Sequence, residues 1–188
     1  MAMHTRRAII DSFWMLLNEK SLDKITVKDV IKLAEINRNT FYYHFEDLYA
    51  LLYTVFSEEA ERYRSTIDEN GTFYEAYISA ASVFMDNRNA IIHVYNSKGK
   101  AILNKYMQDA SDDFVSRFVR QKARETGLSD EGISYITSFY SYAIVGITMQ
   151  WVENGMPEYR KNLLRTVSET YEATIDVMIK DYISHNIK

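Results

Sequence analysis

Cysteine is absent from this 188-residue chain, proline occurs once and glycine six times. Without thiols there is no disulfide framework, no thiolate nucleophile and no cysteine-ligated metal, and a reducing, cytoplasmic compartment is the expectation. So few chain breakers leave little room for the tight turns of an all-β fold. Long apolar runs are missing too: none approaches the roughly 20 residues of a membrane span, so no membrane partner is expected. The opening, Met1 to Lys20, sets basic residues ahead of an apolar stretch, but Asp11, Asn18 and Glu19 interrupt it and no small-residue cleavage site follows. That reads as an amphipathic helix, not a secretory leader. Catalytic and metal-binding spacings are lacking as well. The histidines, His4, His44, His93 and His185, are far apart, and no H-E-x-x-H, G-x-G-x-x-G, P-loop or G-x-S-x-G motif occurs. No enzyme, cofactor or metal is expected.

What is present is an ordinary globular composition, 47% hydrophobic and 26% charged, in a length that suits one or two small domains. The net charge of −4 argues against a partner as acidic as DNA, but its distribution matters. Up to residue 48, Arg6, Arg7, Lys20, Lys24, Lys28, Lys32 and Arg38 balance Asp11, Glu19, Asp23, Asp29, Glu35, Glu46 and Asp47. Any nucleic-acid surface is therefore local and N-terminal. Apolar residues recur at spacings of three and four, which predicts an all-α fold.

Ile9 or Ile10, Phe13, Leu16 and Leu17 form the inner stripe of a first helix that ends near Lys20. Thr26 stands three before Asp29, the hydroxyl-then-acid spacing that caps a helix, and predicts a second helix over 27–34 with Val30, Ile31 and Ala34 inward. After a very short break comes NRNTFYYHFED, Asn37 to Asp47. Asn37 suits the cap of a third helix whose buried positions are Phe41 and Phe45, leaving Arg38, Asn39, Thr40, Tyr42, Tyr43 and His44 outside. Two short helices joined by a tight turn, the second apolar at only two positions, match a helix-turn-helix. Its second helix enters the DNA major groove, which explains the outward polar groups: Arg38 can donate twice to guanine, Asn39 can pair with adenine and Thr40 can touch thymine. Tyr42, Tyr43 and His44 suit phosphate or base-edge contacts, as do Arg6, Thr26, Lys28 and Asn37 around them.

The stretch TVKDVIKLAEINRNTFYYHFEDLYALL resembles the N-terminal domain of the TetR family of transcriptional regulators through Thr26, Val30, Ile31, Ala34, Ile36, Thr40, Phe41, Tyr42, His44, Phe45, Leu51 and Leu52. Two positions depart from the family pattern. Glu35 stands where a turn glycine is usual, and a left-handed non-glycine residue there costs about 1 kcal/mol. Leu48 stands where a phosphate-binding lysine is usual. The free amides at that helix start remain available to a phosphate, although Glu46 and Asp47 repel one. The resemblance implies a helix-turn-helix domain over 1–47 and a helical regulatory and dimerisation domain over 48–188, entered through a linking helix 48–67.

Asp68 to Thr72 form the clearest loop, and amphipathic helices follow on either side of Gly99. The last third carries a helix with the stripe Ile133, Ile136, Tyr140, Ile144, Ile147 and Trp151 that is apolar on most other faces too, so it is expected to be covered on both sides. Gly155 stops it and Pro157 starts the next, whose apolar positions include Leu164, Val167, Tyr171, Ile175, Met178 and Tyr182. The surplus apolar surface predicts a four-helix interface with a symmetry mate, built from Tyr140, Ala143, Ile144, Ile147, Trp151, Val167, Tyr171, Ile175, Met178 and Tyr182, as the resemblance also implies. The segment GITMQWVENGMPE, Gly146 to Glu158, is further similar to a TetR branch that includes regulators of dihydroxyacetone kinase operons. A ligand pocket implied by the resemblance has Phe84, Met85, His93, Tyr106, Phe114, Phe118, Tyr140 and Met149 as candidates, suited to an apolar or aromatic effector. Two readings stay open. One is a homodimeric repressor that binds a near-palindromic operator in double-stranded DNA and is released by a small molecule. The other is a co-regulator of the same fold working through a protein partner, favoured by Glu46, Asp47 and Leu48.

Overall fold

The computed structural model of the chain describes residues 2–65, 71–157 and 161–186. Among the described residues the regular structure is helical throughout: α1 Ala2–Glu19, α2 Val27–Leu33, α3 Arg38–His44, α4 Leu48–Arg64, α5 Phe73–Asp86, α6 Arg88–Tyr95, α7 Lys100–Ala123, α8 Asp130–Glu153 and α9 Lys161–Asn186. The all-α expectation holds. No helix is long and apolar enough to cross a membrane, among the described residues. The contacts group the chain into two compact units, residues 1–66 with 84–106, and residues 67–83 with 107–188.

In the first unit, α1 buries Ile9, Phe13 and Leu17, spaced four apart so that they stack on one face. A 3₁₀ turn at Leu22–Lys24 drops Leu22 into the same core. The predicted capping box is present: Thr26 Oγ1 accepts from the Asp29 amide at 3.2 Å, and Asp29 Oδ2 accepts from the Thr26 amide at 2.9 Å. Lys20 reaches Asp29 at 3.2 Å. Of the residues expected inward on α2, Val30 is fully buried and Ile31 and Ala34 are half-buried. The turn after α2 closes by an amide-to-carbonyl bond from Ile36 to Ile31 at 3.0 Å, with Glu35 at φ 53°. That is a Schellman closure, and it requires a left-handed residue at the position Glu35 occupies.

The sequence sets a boundary at residue 47, whereas the contacts put α4, α6 and the opening of α7 in the unit that holds α1 to α3. The reason is packing from far along the chain. Trp14 Nε1 donates to Asn87 Oδ1 at 3.1 Å, His93 Nδ1 donates to the Leu17 carbonyl at 2.7 Å, and Tyr106 stacks on Phe56 at 4.8 Å. Helix α4 ends at Arg64; residues 66–70, which hold the end of the expected linking helix and most of the expected loop, lie outside the described residues.

The second unit has one core, in which α5, α7, α8 and α9 contribute Phe73, Tyr77, Phe118, Val119, Ile136, Tyr140, Ile144, Tyr171 and Ile175. Its centre is aromatic. Phe73 stacks on Tyr171 at 3.9 Å, and Tyr140 meets Tyr171 edge-on at 4.9 Å. Helix α8 stops as expected at Gly155, with φ 76°; Gly155 donates to the Val152 carbonyl and Met156 to that of Trp151, both at 2.9 Å. The residues after Pro157 where the next helix is expected to start, 158–160, lie outside the described residues.

Candidate nucleic-acid interface

Helix α3 has two faces because the segment of the helix and its C-cap is apolar at only two spaced positions, Phe41 and Phe45. Phe41 and Phe45 are buried, 6.1 Å apart between ring centres, and seat the helix in the first unit. The opposite face is exposed: Arg38, Asn39, Tyr42 at 45% and Tyr43 at 80%. Exposure of two tyrosines on a seven-residue helix costs apolar burial without gain to the fold, as a surface meant for a partner would require.

The structure sorts the expected DNA residues by what they already bond. Asn37 Oδ1 accepts from the Thr40 amide at 2.9 Å and from Thr40 Oγ1 at 3.0 Å, so these two are tied up in the helix cap. Thr26 is likewise engaged with Asp29, its hydroxyl donating at 2.9 Å. Arg38 leans along the helix, its Nη2 donating to Tyr42 Oη at 3.3 Å. The half-buried His44 ring meets Tyr43 edge-on at 5.0 Å. Lys28 is exposed on the first turn of α2. Asn39, among the described residues, keeps its amide free of partners inside the protein, as readout of a base edge would need. Arg6, expected among the DNA contacts, pairs with Glu58 and lies 5.6 Å from the Phe45 ring centre, clamping α1 to α4.

The start of α4 corrects a second expectation. Asp47 Oδ1 accepts from the amides of Tyr49 at 2.8 Å and Ala50 at 2.7 Å. The chain's own carboxylate thus occupies the amides that a phosphate would use. The signal was in the sequence, since aspartate one before a helix start is a strong N-cap.

The residues proposed for a ligand pocket fall into both units. Phe84, Met85, His93 and Tyr106 belong to the first, Phe114, Phe118, Tyr140 and Met149 to the second. His93 and Tyr106 are engaged in the first unit's packing, and burial, with help from Glu59, pushes the Tyr106 hydroxyl up to about 12. Phe114, Phe118 and Tyr140 surround Phe73 and Tyr171, where burial raises both tyrosine hydroxyls above their usual range.

Most of the expected dimer stripe is taken up within the chain. Tyr140, Ile144, Trp151, Tyr171 and Ile175 are buried inside a single chain, and Val167, Met178 and Tyr182 pack half-buried against that core. Ile147 is half-buried and only Ala143 is exposed. The α8 positions that are open lie on the other side: Tyr135 at 58%, Phe139 at 56% and Tyr142 at 67%, which with Ser138 and Ala143 line a shallow groove of about 510 Å³. On α9 the exposed large hydrophobic, among the described residues, is Val177, at 66%. The missed signal was periodic. On a helix apolar all round, residues at 135, 139 and 142 repeat as regularly as those at 136, 140 and 144, and only packing decides which set faces in.

Residues 9–53 match the family model described as bacterial regulatory proteins, tetR family, and residues 71–173 match that described as transcriptional regulator C-terminal region. Among curated proteins none matches in sequence. A solved structure, of a protein named dihydroxyacetone kinase operon activator DhaS, is similar with a TM-score of 0.74 at 17% identity, over 92% of this chain and 97% of that one. At that identity the likeness is one of fold.

Proposed function

The chain belongs to the TetR family of bacterial transcriptional regulators, and on that premise we propose that it is a homodimeric repressor that reads a near-palindromic operator and is released by a small molecule. The observation that carries the reading is the two-faced α3, anchored by Phe41 and Phe45 while Arg38, Asn39 and Tyr43 stand in solvent. Arg38 serves guanine and Asn39 adenine, while Lys28 and the Tyr43 hydroxyl take phosphates. Thr26, Asn37, Thr40 and Arg6 act indirectly, by holding α2, α3 and α1 in place.

A second copy is the natural cover for the α8 face of Tyr135, Phe139 and Tyr142, because three exposed aromatic rings in one row are costly in water. Two α3 helices about one DNA turn apart, roughly 34 Å, then address the two half-sites. The effector belongs in the aromatic second unit. Among the described residues the buried hydroxyls of Thr137, Ser168 and Tyr171 lack partners there, which favours a molecule with an aromatic or apolar body and hydrogen-bonding groups. Within the first unit, α6 is bonded to α1 through His93 and Asn87, so a shift of α6 moves the reading helices with it.

The test is selection of bound duplexes from a random pool at about physiological salt, with reporter expression to fix the sign of regulation. An enriched inverted repeat supports the reading, and salt-sensitive binding without a motif sinks it. The Asp47 carboxylate on the α4 amides, beside Leu48, favours the second reading, a co-regulator with weak DNA affinity that acts through a protein partner. The solved relative is named as an activator, and activation is the outcome to separate from repression in the reporter assay.

A further inference from the structure

Three side chains on α3 form a chain of contacts that leads from the core to the groove-facing surface. Phe41 is fully buried. The Tyr42 ring stands edge-on to it, 5.4 Å away at 89°, an arrangement favoured by the ring quadrupoles. The Arg38 guanidinium lies over the Tyr42 ring, 5.5 Å from its centre, and donates from Nη2 to the Tyr42 hydroxyl at 3.3 Å. Arg38 and Tyr42 are four apart, the spacing at which helix side chains meet. An exposed arginine at the first turn of a helix would otherwise sample many rotamers, all but a few of them useless for a two-pronged bond to one base.

We propose that Tyr42 is a positioning residue for Arg38: its ring and hydroxyl hold the guanidinium over α3 so that the remaining donors are aimed before DNA arrives. The inference rests on the operator-reading function proposed above. It assigns Tyr42 a share in base discrimination that is exerted through Arg38, apart from any contact of its own. Only one of the five guanidinium N–H groups is engaged with Tyr42, so the fork needed for guanine stays open. Fixing a rotamer-rich side chain in advance removes a binding cost equivalent to about threefold to tenfold in affinity.

The experiment is a double-mutant cycle of Arg38→Ala and Tyr42→Phe, measured on the selected operator and on copies altered one base pair at a time. The expected result is a loss of about threefold to tenfold in discrimination at the base pair read by Arg38, little change at the others, and no further loss from Tyr42→Phe once Arg38 is alanine. If the ring alone positions Arg38, Tyr42→Phe is silent and Tyr42→Leu shows the same base-specific loss. Tyr42 is half-exposed, and matching thermal midpoints of the variants establish that folding is intact. Additive losses, uniform across base pairs, would mean a direct phosphate contact by Tyr42 and overturn the proposal, as would silence of both variants. Failure of the unaltered protein to enrich any motif overturns the operator-reading function, and the proposal with it; an enriched motif with an additive cycle overturns the proposal alone.

Discussion

Glu35→Gly should make this protein more stable without changing what it binds. Glu35 sits at φ 53° in the turn between α2 and α3, fixed there by the amide-to-carbonyl bond from Ile36 to Ile31 at 3.0 Å and by the short distance between the two helices. A left-handed conformation costs a residue with a Cβ about 1–2 kcal/mol, and glycine almost nothing. Against this, glycine loosens the unfolded chain by about 0.4–1 kcal/mol. The exposed Glu35 side chain offers little to set against the difference. The net gain is about 0.5–1 kcal/mol, or a rise of about 1–4 °C in the thermal midpoint for a chain of this size. Urea denaturation followed by circular dichroism reads it directly, and binding to the selected duplex should be unchanged. Equal or lower stability of the glycine variant would refute the reasoning, since the turn would then store no strain.

The other predictions follow from the surfaces and caps. Leu48→Lys adds a cation beside the occupied amides of α4, so the slope of log affinity against log salt on the selected duplex should steepen by about 0.9, in a titration of binding against salt. Phe139→Asp, on the open face of α8, should give a folded monomer by sedimentation, whereas Ile175→Asp should unfold the chain, and a stable Phe139→Asp dimer would exclude this face. Asp29 is held below its ordinary 3.8, first by the Thr26 amide and then by the Thr26 hydroxyl and Lys20. Its contribution to stability is therefore complete above about pH 4 and lost as pH falls through the lowered value, so Asp29→Asn should flatten acid denaturation in that window. Thr26→Ala removes the other half of the box and should cost about 1 kcal/mol by urea denaturation at neutral pH.

Local chemistry was legible in residue order wherever one or two neighbours decide the outcome. Thr26 with Asp29, Asn37 before Arg38, and Phe41 with Phe45 all stand as their spacing predicts. Thr72 and Glu75 carry the same capping signature, with the Thr72 amide donating to Glu75 at 3.0 Å, and could have been found the same way. Where the deciding partner is remote, residue order was silent. Nothing near Arg6 names Glu58, and nothing near His93 names Leu17. Asp47 lies between: its acidity was read as repelling phosphate, whereas its geometry puts it in the phosphate's place.

The amino-acid sequence by itself determined the helical class, the caps and the two-faced third helix, because each depends on backbone preference and on side chains within about one helical turn. Tertiary structure alone decided which of two equally periodic stripes of α8 is interior, that α6 joins the unit of the reading helices, and that Arg6 is an internal clamp. Those outcomes depend on which surfaces meet across dozens of residues, and the energy of that meeting is written in no single segment of the chain.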